Sequence, residues 1–275
     1  MKILLLGGTA DARRLADSLH QAGTFQSKMR VVYSLAGLVR VPKIDCELVV
    51  GGFTQFGGLT AYLRKNNIGA ILDVTHPYAQ TMSTKAVNAA KEVGIPCWRF
   101  HRPAWQVQQG DIWSEYHSDS DLLTQLDGYR VPLLSAGQMS EDLLEKIIQL
   151  PSVERVVWRT AVAPKFSMSD GIEWIKAIGP FALEDERQLL LDQQIDIIVS
   201  KNSGGSATYS KLEAARALSI PALLHSRPIL PKADREFSDT QDCLQACLAA
   251  WGSTHSKNQP LDQQQIDQQP KDSQQ

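Results

Sequence analysis

The chain has 275 residues, 43% of them apolar, and a formal net charge of -2 at pH 7. This length gives ample material for a hydrophobic core and suggests one large domain or two smaller ones. The near-neutral charge gives no electrostatic basis for binding nucleic acid or an anionic membrane, and no apolar run is long enough to span a bilayer. We therefore expect a cytoplasmic protein whose four cysteines are reduced packing residues.

Apolar runs and helical patterns alternate through the first part of the chain. Residues 2–6 (KILLL) form a continuous apolar run, which is typical of a strand buried on both faces. Further strands are predicted at 29–35, 47–50, 69–73 and 94–100, and helices at 10–22, 57–66 and 79–93. Such alternation predicts a mainly parallel sheet with right-handed crossovers. The less regular segment 101–128 is predicted to connect two domains.

A second alternation follows. Strands are predicted at 131–134, 154–159, 173–178, 195–200 and 221–225, and helices at 140–149, 184–193, 208–218 and 239–251. The polar residues 252–275 cannot bury enough apolar surface to offset their ordering entropy, so we expect a disordered tail. The predicted fold is α/β, with two Rossmann-like lobes of mainly parallel sheet flanked by helices. The lobes are predicted at 1–128 and 129–251, with a ligand cleft between them.

The first candidate site is the turn 7–13 (GGTADAR), between a predicted strand and a helix. Glycines there allow backbone N–H groups to approach a phosphate, and the helix N-terminus favours an anion. Gly7, Gly8 and Thr9 are therefore candidate cofactor contacts. A plain tight turn, with Thr9 or Asp11 capping the helix, would give the same pattern.

The loop after the second predicted strand bears on the type of cofactor. NAD-selective Rossmann proteins usually carry an acid near this point to hold the ribose hydroxyls. Residues 34–40 contain no acid and end on Arg40, which favours NADPH over NADH. Arg40 could instead be a solvated surface residue or hold a carboxylate of the substrate.

Four chemically active side chains follow the fourth predicted strand: Asp73, Thr75, His76 and Tyr78. Ligands of open parallel sheets bind beyond the carboxyl ends of the strands. His76, held extended by Pro77, is the candidate proton donor, with Asp73 and Tyr78 as further catalytic candidates and Thr75 as a ligand contact. The alternative is that Asp73 and Thr75 only cap the next helix.

Two arginines and an aromatic follow the fifth predicted strand, in residues 99–105. Arg99 and Arg102 would suit a flat ligand decorated with carboxylates, because arginine binds carboxylates bidentately and stacks on π-systems. The alternative is a basic surface loop whose Trp105 packs between the domains.

A second possible anion cradle lies at residues 200–206 (SKNSGGS), between a predicted strand and a helix. Lys201, Ser203, Gly204 and Gly205 are candidate cofactor contacts there, and the alternative is a flexible connecting loop. The sequence has no zinc-type spacing and no nucleophile elbow, so we expect neither a metal nor a covalent nucleophile.

Together these segments resemble the precorrin-6A reductase family of cobalamin biosynthesis. The resemblance spans residues 1–230 and rests on motifs in the family's order. They lie at 7–13 (Asp11 where the family has Glu), 37–42, 51–59 (Thr54 and Gln55 where it has glycines), 73–79, 99–105, 179–181, 201–205 and 227–228.

The resemblance implies an enzyme that uses NADPH, with NADH as the alternative cofactor, to reduce a double bond of precorrin-6A or cobalt-precorrin-6A, giving precorrin-6B. It implies a monomer or small homo-oligomer that holds no metal. The carboxylates of the substrate would be bound by Arg13, Arg40, Arg99, Arg102 and Arg227. Two alternatives stay open: a non-catalytic NADPH- or tetrapyrrole-binding protein, and a Rossmann-type enzyme acting on a sugar or hydroxy acid.

Overall fold

The computed structural model describes residues 1–26, 29–37 and 44–252. The chain begins with β1 Lys2–Leu6, α1 Ala10–Gln26, β2 Arg30–Leu35, β3 Glu47–Val50, α2 Leu59–Lys65, β4 Ile68–Asp73, α3 Gln80–Val93 and β5 Cys97–Phe100. It continues with β6 Trp113–Tyr116, α4 Asp119–Leu126, β7 Pro132–Ser135, α5 Glu141–Ile148, β8 Val156–Thr160 and β9 Ile172–Lys176. It ends with α6 Leu183–Asp192, β10 Ile197–Lys201, α7 Ser210–Leu218, β11 Ala222–His225, β12 Arg235–Phe237, α8 Thr240–Cys247 and a π-helical turn at Leu248–Gly252.

These strands form two six-stranded sheets in which every neighbouring pair is parallel. The first sheet has the order β12-β5-β4-β1-β2-β3, and the second has β6-β11-β10-β7-β8-β9. Both are doubly wound Rossmann orders, in which strand addition reverses direction at a switch point. That point lies between β1 and β4 in the first sheet and between β7 and β10 in the second. The predicted fold class is confirmed.

Helices cover both faces of the first sheet because its central strands are apolar throughout. Ile3, Leu4 and Leu5 of β1 are fully buried. Ile3 and Leu5 pack with residues of α1 and α8 on one face, whereas Leu4 packs with residues of α2 and α3 on the other. In the second sheet, α4 and α5 cover one face and α6 and α7 the other. The core is therefore two separate sandwiches, one around each sheet.

The two sheets exchange one edge strand each. β6 directly follows β5 in sequence but pairs with β11 in the second sheet, whereas β12 follows β11 and pairs with β5 in the first. The predicted division at residue 128 is therefore wrong as a boundary between the sheets. Here "first lobe" means the first sheet with α1, α2, α3 and α8, and "second lobe" means the second sheet with α4 to α7.

Most predicted elements lie within a few residues of the observed ones, but β6, α4 and β12 were not predicted. They are short, and β6 and β12 are edge strands with several exposed positions. The predicted tail falls outside the described residues, apart from Gly252. In the described part of the chain, no helix combines the length and apolarity needed to cross a bilayer.

Candidate functional site

The carboxyl ends of the strands of both sheets face each other across the cleft. Tyr78, in the loop after β4, donates a short hydrogen bond to the carbonyl of His225, the last residue of β11. The Tyr78 hydroxyl also accepts from the backbone N–H of Asn202, which follows β10, at 2.9 Å. The loops that carry the predicted residues of the two lobes therefore meet.

The glycine turn after β1 is shaped by a tyrosine that the sequence pattern did not single out. A Cβ atom on Gly7 would lie 2.3 Å from Cζ of Tyr33, so only glycine fits beneath this ring. Gly8 has a φ of +112°, and its N–H donates to the Tyr33 hydroxyl at 3.1 Å. Tyr33 therefore fixes the shape of the turn. The strand register could have revealed this, since Tyr33 is paired with Leu5, two residues before Gly7.

Thr9, a predicted cofactor contact, is engaged within the first lobe. Its hydroxyl accepts from the N–H of Ala12 at 3.0 Å, which caps α1, and donates to the carbonyl of Val74 at 3.0 Å. The side chain thus ties the glycine turn to the loop after β4. This matches the capping alternative, and it leaves only the backbone of Thr9 for a ligand.

An open groove of about 520 Å³ runs along the carboxyl edge of the first sheet. We call it the first-lobe groove. It is lined by Leu6, Gly7, Gly8, Ser34, Ala36, Gly51, Gly52, Phe53, Thr54, Gly58, Leu59, Thr60, Thr75, His76, Ala79, Met82, Lys85, Asn88, Ala89 and Glu92. The groove therefore joins the glycine turn to three other segments singled out from the sequence: the loop after β2, residues 51–59 and the loop after β4.

His76 lies at the groove with a defined hydrogen-bonding state. Its Nδ1 accepts from the N–H of Tyr78 at 3.3 Å, so in the neutral ring the proton is on Nε2. Burial, together with the nearby cations Arg102, Lys201 and Arg227, lowers the pKa of His76 to about 4. At neutral pH this side chain is an uncharged N–H donor and not an imidazolium.

Asp73 and Arg99 form a buried ion pair beneath the groove. Asp73 is fully buried, and it accepts from Nε of Arg99 at 3.1 Å and from the N–H and hydroxyl of Thr75 at 3.2 and 2.7 Å. Arg99 also donates to the carbonyl of Pro231 at 2.8 Å and to Glu236 at 3.2 Å. Neither charged group of the pair faces the cleft, although the sequence placed Asp73 among the catalytic and Arg99 among the substrate-binding residues.

Arg102 joins the two lobes. Its Nη1 donates to Asp11 in the first turn of α1 at 2.8 Å, and its Nε donates to the carbonyl of Ser203 at 2.9 Å. Asp11 is buried and also pairs with Arg14. Arg102 therefore lies between the two predicted anion cradles, and its side chain occupies the space between them.

The glycines of the 200–206 loop allow a close approach of the two lobes. A Cβ atom on Gly204 would lie 1.9 Å from the carbonyl oxygen of Pro103, and one on Gly205 would lie 2.9 Å from Nη1 of Arg102. Ser203 is buried as well. Arg102 and Pro103 thus close this side of the expected cradle, whereas Gly204 and Ser206 also line a cavity of about 660 Å³ beside Phe181.

Arg227 and Trp105 complete the contact between the lobes. Arg227 donates to the carbonyls of Asn202 and Arg102, both at 2.9 Å. The backbone N–H and carbonyl of Trp105 bond to the side chain of Asn202 at 2.7 and 3.1 Å. The Trp105 ring itself packs on the second lobe, 5.6 Å from the Tyr209 ring, so its packing between the domains is not what the structure shows.

Lys201 lies in a different and smaller cavity. We call it the second-lobe crevice; its volume is about 390 Å³, and Tyr78, Gln80, His117, Lys201, His225, Ser226, Arg227 and Pro228 line it. Lys201 is half-buried, with Nζ 5.4 Å from the centre of the Tyr78 ring. The sequence analysis singled out neither His117 nor His225. His117 belongs to a strand–helix region that was not predicted.

Two predicted arginines remain. Arg13 is exposed on the surface of α1. Arg40 lies outside the described residues.

Comparison with known proteins agrees with the motif order. A family model described as Precorrin-6x reductase CbiJ/CobK matches residues 2–248. A precorrin-6A reductase of Rhodococcus erythropolis is 35% identical over 257 residues, covering 92% of this chain and 98% of that protein. One from a Sinorhizobium species is 37% identical over 228 residues, covering 82% and 85%. The solved structure of CobK precorrin-6A reductase is similar with a TM-score of 0.80 at 28% identity, covering 93% of this chain and 99% of that one.

Proposed function

The chain belongs to the precorrin-6x reductase CbiJ/CobK family of cobalamin biosynthesis, and we propose that it reduces precorrin-6A to precorrin-6B with NADPH. Membership in this family implies an oxidoreductase with a nicotinamide cofactor. The observation that carries the proposal is the first-lobe groove, which joins a glycine turn at the switch point of a Rossmann sheet to the neutral imidazole of His76. We place the reaction in the cytoplasm, where reduced nicotinamide cofactors are available.

The residues of the first-lobe groove fit a dinucleotide. Its volume of about 520 Å³ lies within the range of small-molecule clefts. Gly7 and Gly8 expose backbone next to the N-terminus of α1, where anionic phosphates are favoured. When bound there, NADPH would supply the hydride. The chain's part is to hold and orient the two reactants.

The end of β2 supports NADPH over NADH. Ser34 and Ala36 line the groove at this point, and no acid lies between residues 34 and 37 to accept the ribose hydroxyls. Arg40 remains a candidate for the 2'-phosphate or for a substrate carboxylate.

Three cations lie near His76 on the side of the second lobe. Arg102, Lys201 and Arg227 each lower the pKa of His76, after the larger effect of burial, so their charges are close to this end of the groove. We propose that the acidic macrocycle lies between the lobes against these cations, with Thr75 facing it at the groove. Arg13, exposed on α1, would contact only its periphery.

We assign different roles to the three predicted catalytic residues. His76 donates a hydrogen bond from Nε2 toward the substrate or the cofactor. Burial raises the pKa of Tyr78 to about 12, so its hydroxyl stays protonated and keeps its contacts to the second lobe. Asp73 positions the loop after β4 through Thr75 and Arg99.

The direct test is anaerobic incubation of the protein with precorrin-6A and NADPH, with the loss of absorbance of the reduced cofactor as the readout. Parallel reactions contain NADH in place of NADPH, or cobalt-precorrin-6A in place of the cobalt-free substrate. We expect the fastest turnover with precorrin-6A and NADPH. Tight binding of both ligands without oxidation of either cofactor would reject the enzyme in favour of a binding protein.

A further inference from the structure

The second lobe has its own ligand site at the second-lobe crevice, and we propose that Lys201 there binds one peripheral carboxylate of the macrocycle. The identity of the ligand rests on the proposed function, whereas the site itself rests on geometry and charge. This assignment differs from the sequence expectation, which placed Lys201 on the phosphates of the cofactor.

Lys201 stands at the switch point of the second sheet. It is the last residue of β10, and β10 pairs directly with β7, whose following loop contains Gly137. The ammonium lies 3.5 Å from the position that a Cβ atom of Gly137 would occupy. Because residue 137 has no side chain, the approach to Nζ stays open from that loop. In doubly wound sheets this is where ligands bind.

The charge of the crevice is not balanced. Within the described part of the chain, neither Lys201 nor Arg227 forms a salt bridge, and one buried guanidinium nitrogen of Arg227 has no hydrogen-bond partner. Burial lowers the pKa of Lys201, because its desolvation is not offset by a nearby acid. The Glu115 carboxylate is exposed and accepts from the Ser226 hydroxyl at 2.6 Å. An anion in the crevice would therefore meet the Lys201 ammonium without displacing a carboxylate from it, and the cationic Arg227 lines the same crevice.

The walls of the crevice are flat and fixed. The Tyr78 ring forms one side, and the His225 ring lies 5.4 Å from it, stacked on Tyr116 at 4.7 Å and 8°. A volume of about 390 Å³ suits an acetate or propionate arm better than a dinucleotide. The His76 ring also lies next to Tyr78, with centroids 5.6 Å apart. A carboxylate held by Lys201 would thus hold the macrocycle close to the groove.

The inference is tested with Lys201→Met, which keeps the length of the side chain and removes its charge. Lys146→Met, at an exposed lysine of α5 that pairs with Asp142, is the matched control. Uroporphyrin, a stable tetrapyrrole with eight carboxylates, serves as the probe, and its binding is followed by quenching of tryptophan fluorescence. We expect Kd for uroporphyrin to rise about tenfold in Lys201→Met, as for the loss of one charge-assisted contact. Kd for NADPH should stay within about twofold of wild type in both variants.

Two results would overturn the inference. One is weaker NADPH binding with unchanged uroporphyrin binding, which would return Lys201 to the cofactor. The other is unchanged binding of both ligands, including the case in which wild type binds no uroporphyrin. Circular dichroism establishes that the variants are folded, and Lys201→Arg should restore most of the affinity. If wild type fails to reduce precorrin-6A but Lys201→Met still loses uroporphyrin, the proposed function fails and the crevice stands.

Discussion

The two lobes share one strand order but use the carboxyl edges of their sheets differently. In the first lobe the glycine turn opens onto the first-lobe groove, whereas in the second lobe the glycine loop packs against Arg102 and Pro103 and Lys201 lies in a smaller cationic crevice. Gly7 is required by a tyrosine that packs beneath the turn, and Gly204 is required by the neighbouring backbone at Pro103. The shared topology therefore places a possible ligand site at the carboxyl edge of each sheet. The side chains at the strand ends decide what can bind at each of them.

The buried ion pairs give the largest expected effect. Asp73–Arg99 lies in the first lobe and Arg159–Glu186 in the second, with N–O distances of 3.1 and 2.9 Å. We expect Asp73→Asn and Glu186→Gln each to lower the free energy of unfolding by about 3–5 kcal/mol, because each leaves a buried guanidinium without its carboxylate. Urea denaturation measures this, with the exposed Asp142→Asn as the control. An Asp73→Asn protein that is stable but inactive would show that Asp73 is catalytic and that the two ion pairs do not have the same role.

A smaller loss of stability is expected from Gly204→Ala. The new methyl group would meet the Pro103 carbonyl, and backbone cannot move aside as a flexible side chain can. We expect a loss of about 2–3 kcal/mol. Gly128→Ala is the matched control, since Gly128 has a φ of +97° but no atom within 4 Å, so it carries the backbone strain without the clash. Equal losses in thermal or urea unfolding would show that Gly204 is needed only for its positive φ.

Gly7→Ala should separate cofactor binding from stability. The methyl group would displace Tyr33, whose hydroxyl accepts from Gly8, and so would distort the turn. We expect Kd for NADPH to rise at least about tenfold, with a stability loss of about 1–2 kcal/mol. Gly94→Ala, at the C-terminal end of α3 with no atom within 4 Å, should leave Kd for NADPH unchanged and lower stability only through its φ of +78°. Unchanged fluorescence titrations of NADPH with Gly7→Ala would remove the glycine turn from the cofactor site.

The smallest effect concerns His76. With a pKa of about 4, its imidazole stays neutral above that pH, so protonation of His76 should cause no change in kcat/KM between pH 5 and 8. His76→Gln keeps an N–H donor and should lower kcat/KM less than about tenfold, whereas His76→Ala should lower it about 10- to 100-fold. Steady-state rates against pH measure this. An inflection near pH 6.5 that disappears in His76→Gln would show an imidazolium acid instead.

Local patterns predicted the central strands and helices well, because the buried runs and amphipathic helices carry their own signal. The exchange of β6 and β12 could not be predicted in this way. Both are short edge strands, and their partners lie more than 100 residues away in sequence. Pairing of that kind is decided by tertiary contacts.

The sequence predicted which segments lie at the candidate site, but it did not predict which residues contact each other there. Gly7, Gly8, Thr75 and His76 do come together at one groove, since the ends of adjacent parallel strands meet at one edge. The partners of Arg99, Arg102 and Gly204 are set by the approach of the lobes, which no local pattern encodes. Arg99, for example, was predicted from the sequence to contact the ligand, but in the structure it forms an ion pair with Asp73.

The central claim is that the cofactor binds in the first lobe alone. Hydrogen–deuterium exchange of the protein with and without NADP⁺ tests it most directly, because the same experiment reports on both sheet edges. We expect NADP⁺ to slow exchange in peptides covering residues 4–12 and 50–60, and to leave peptides covering 133–140 and 199–206 unchanged. Protection confined to the second pair of peptides would contradict the claim.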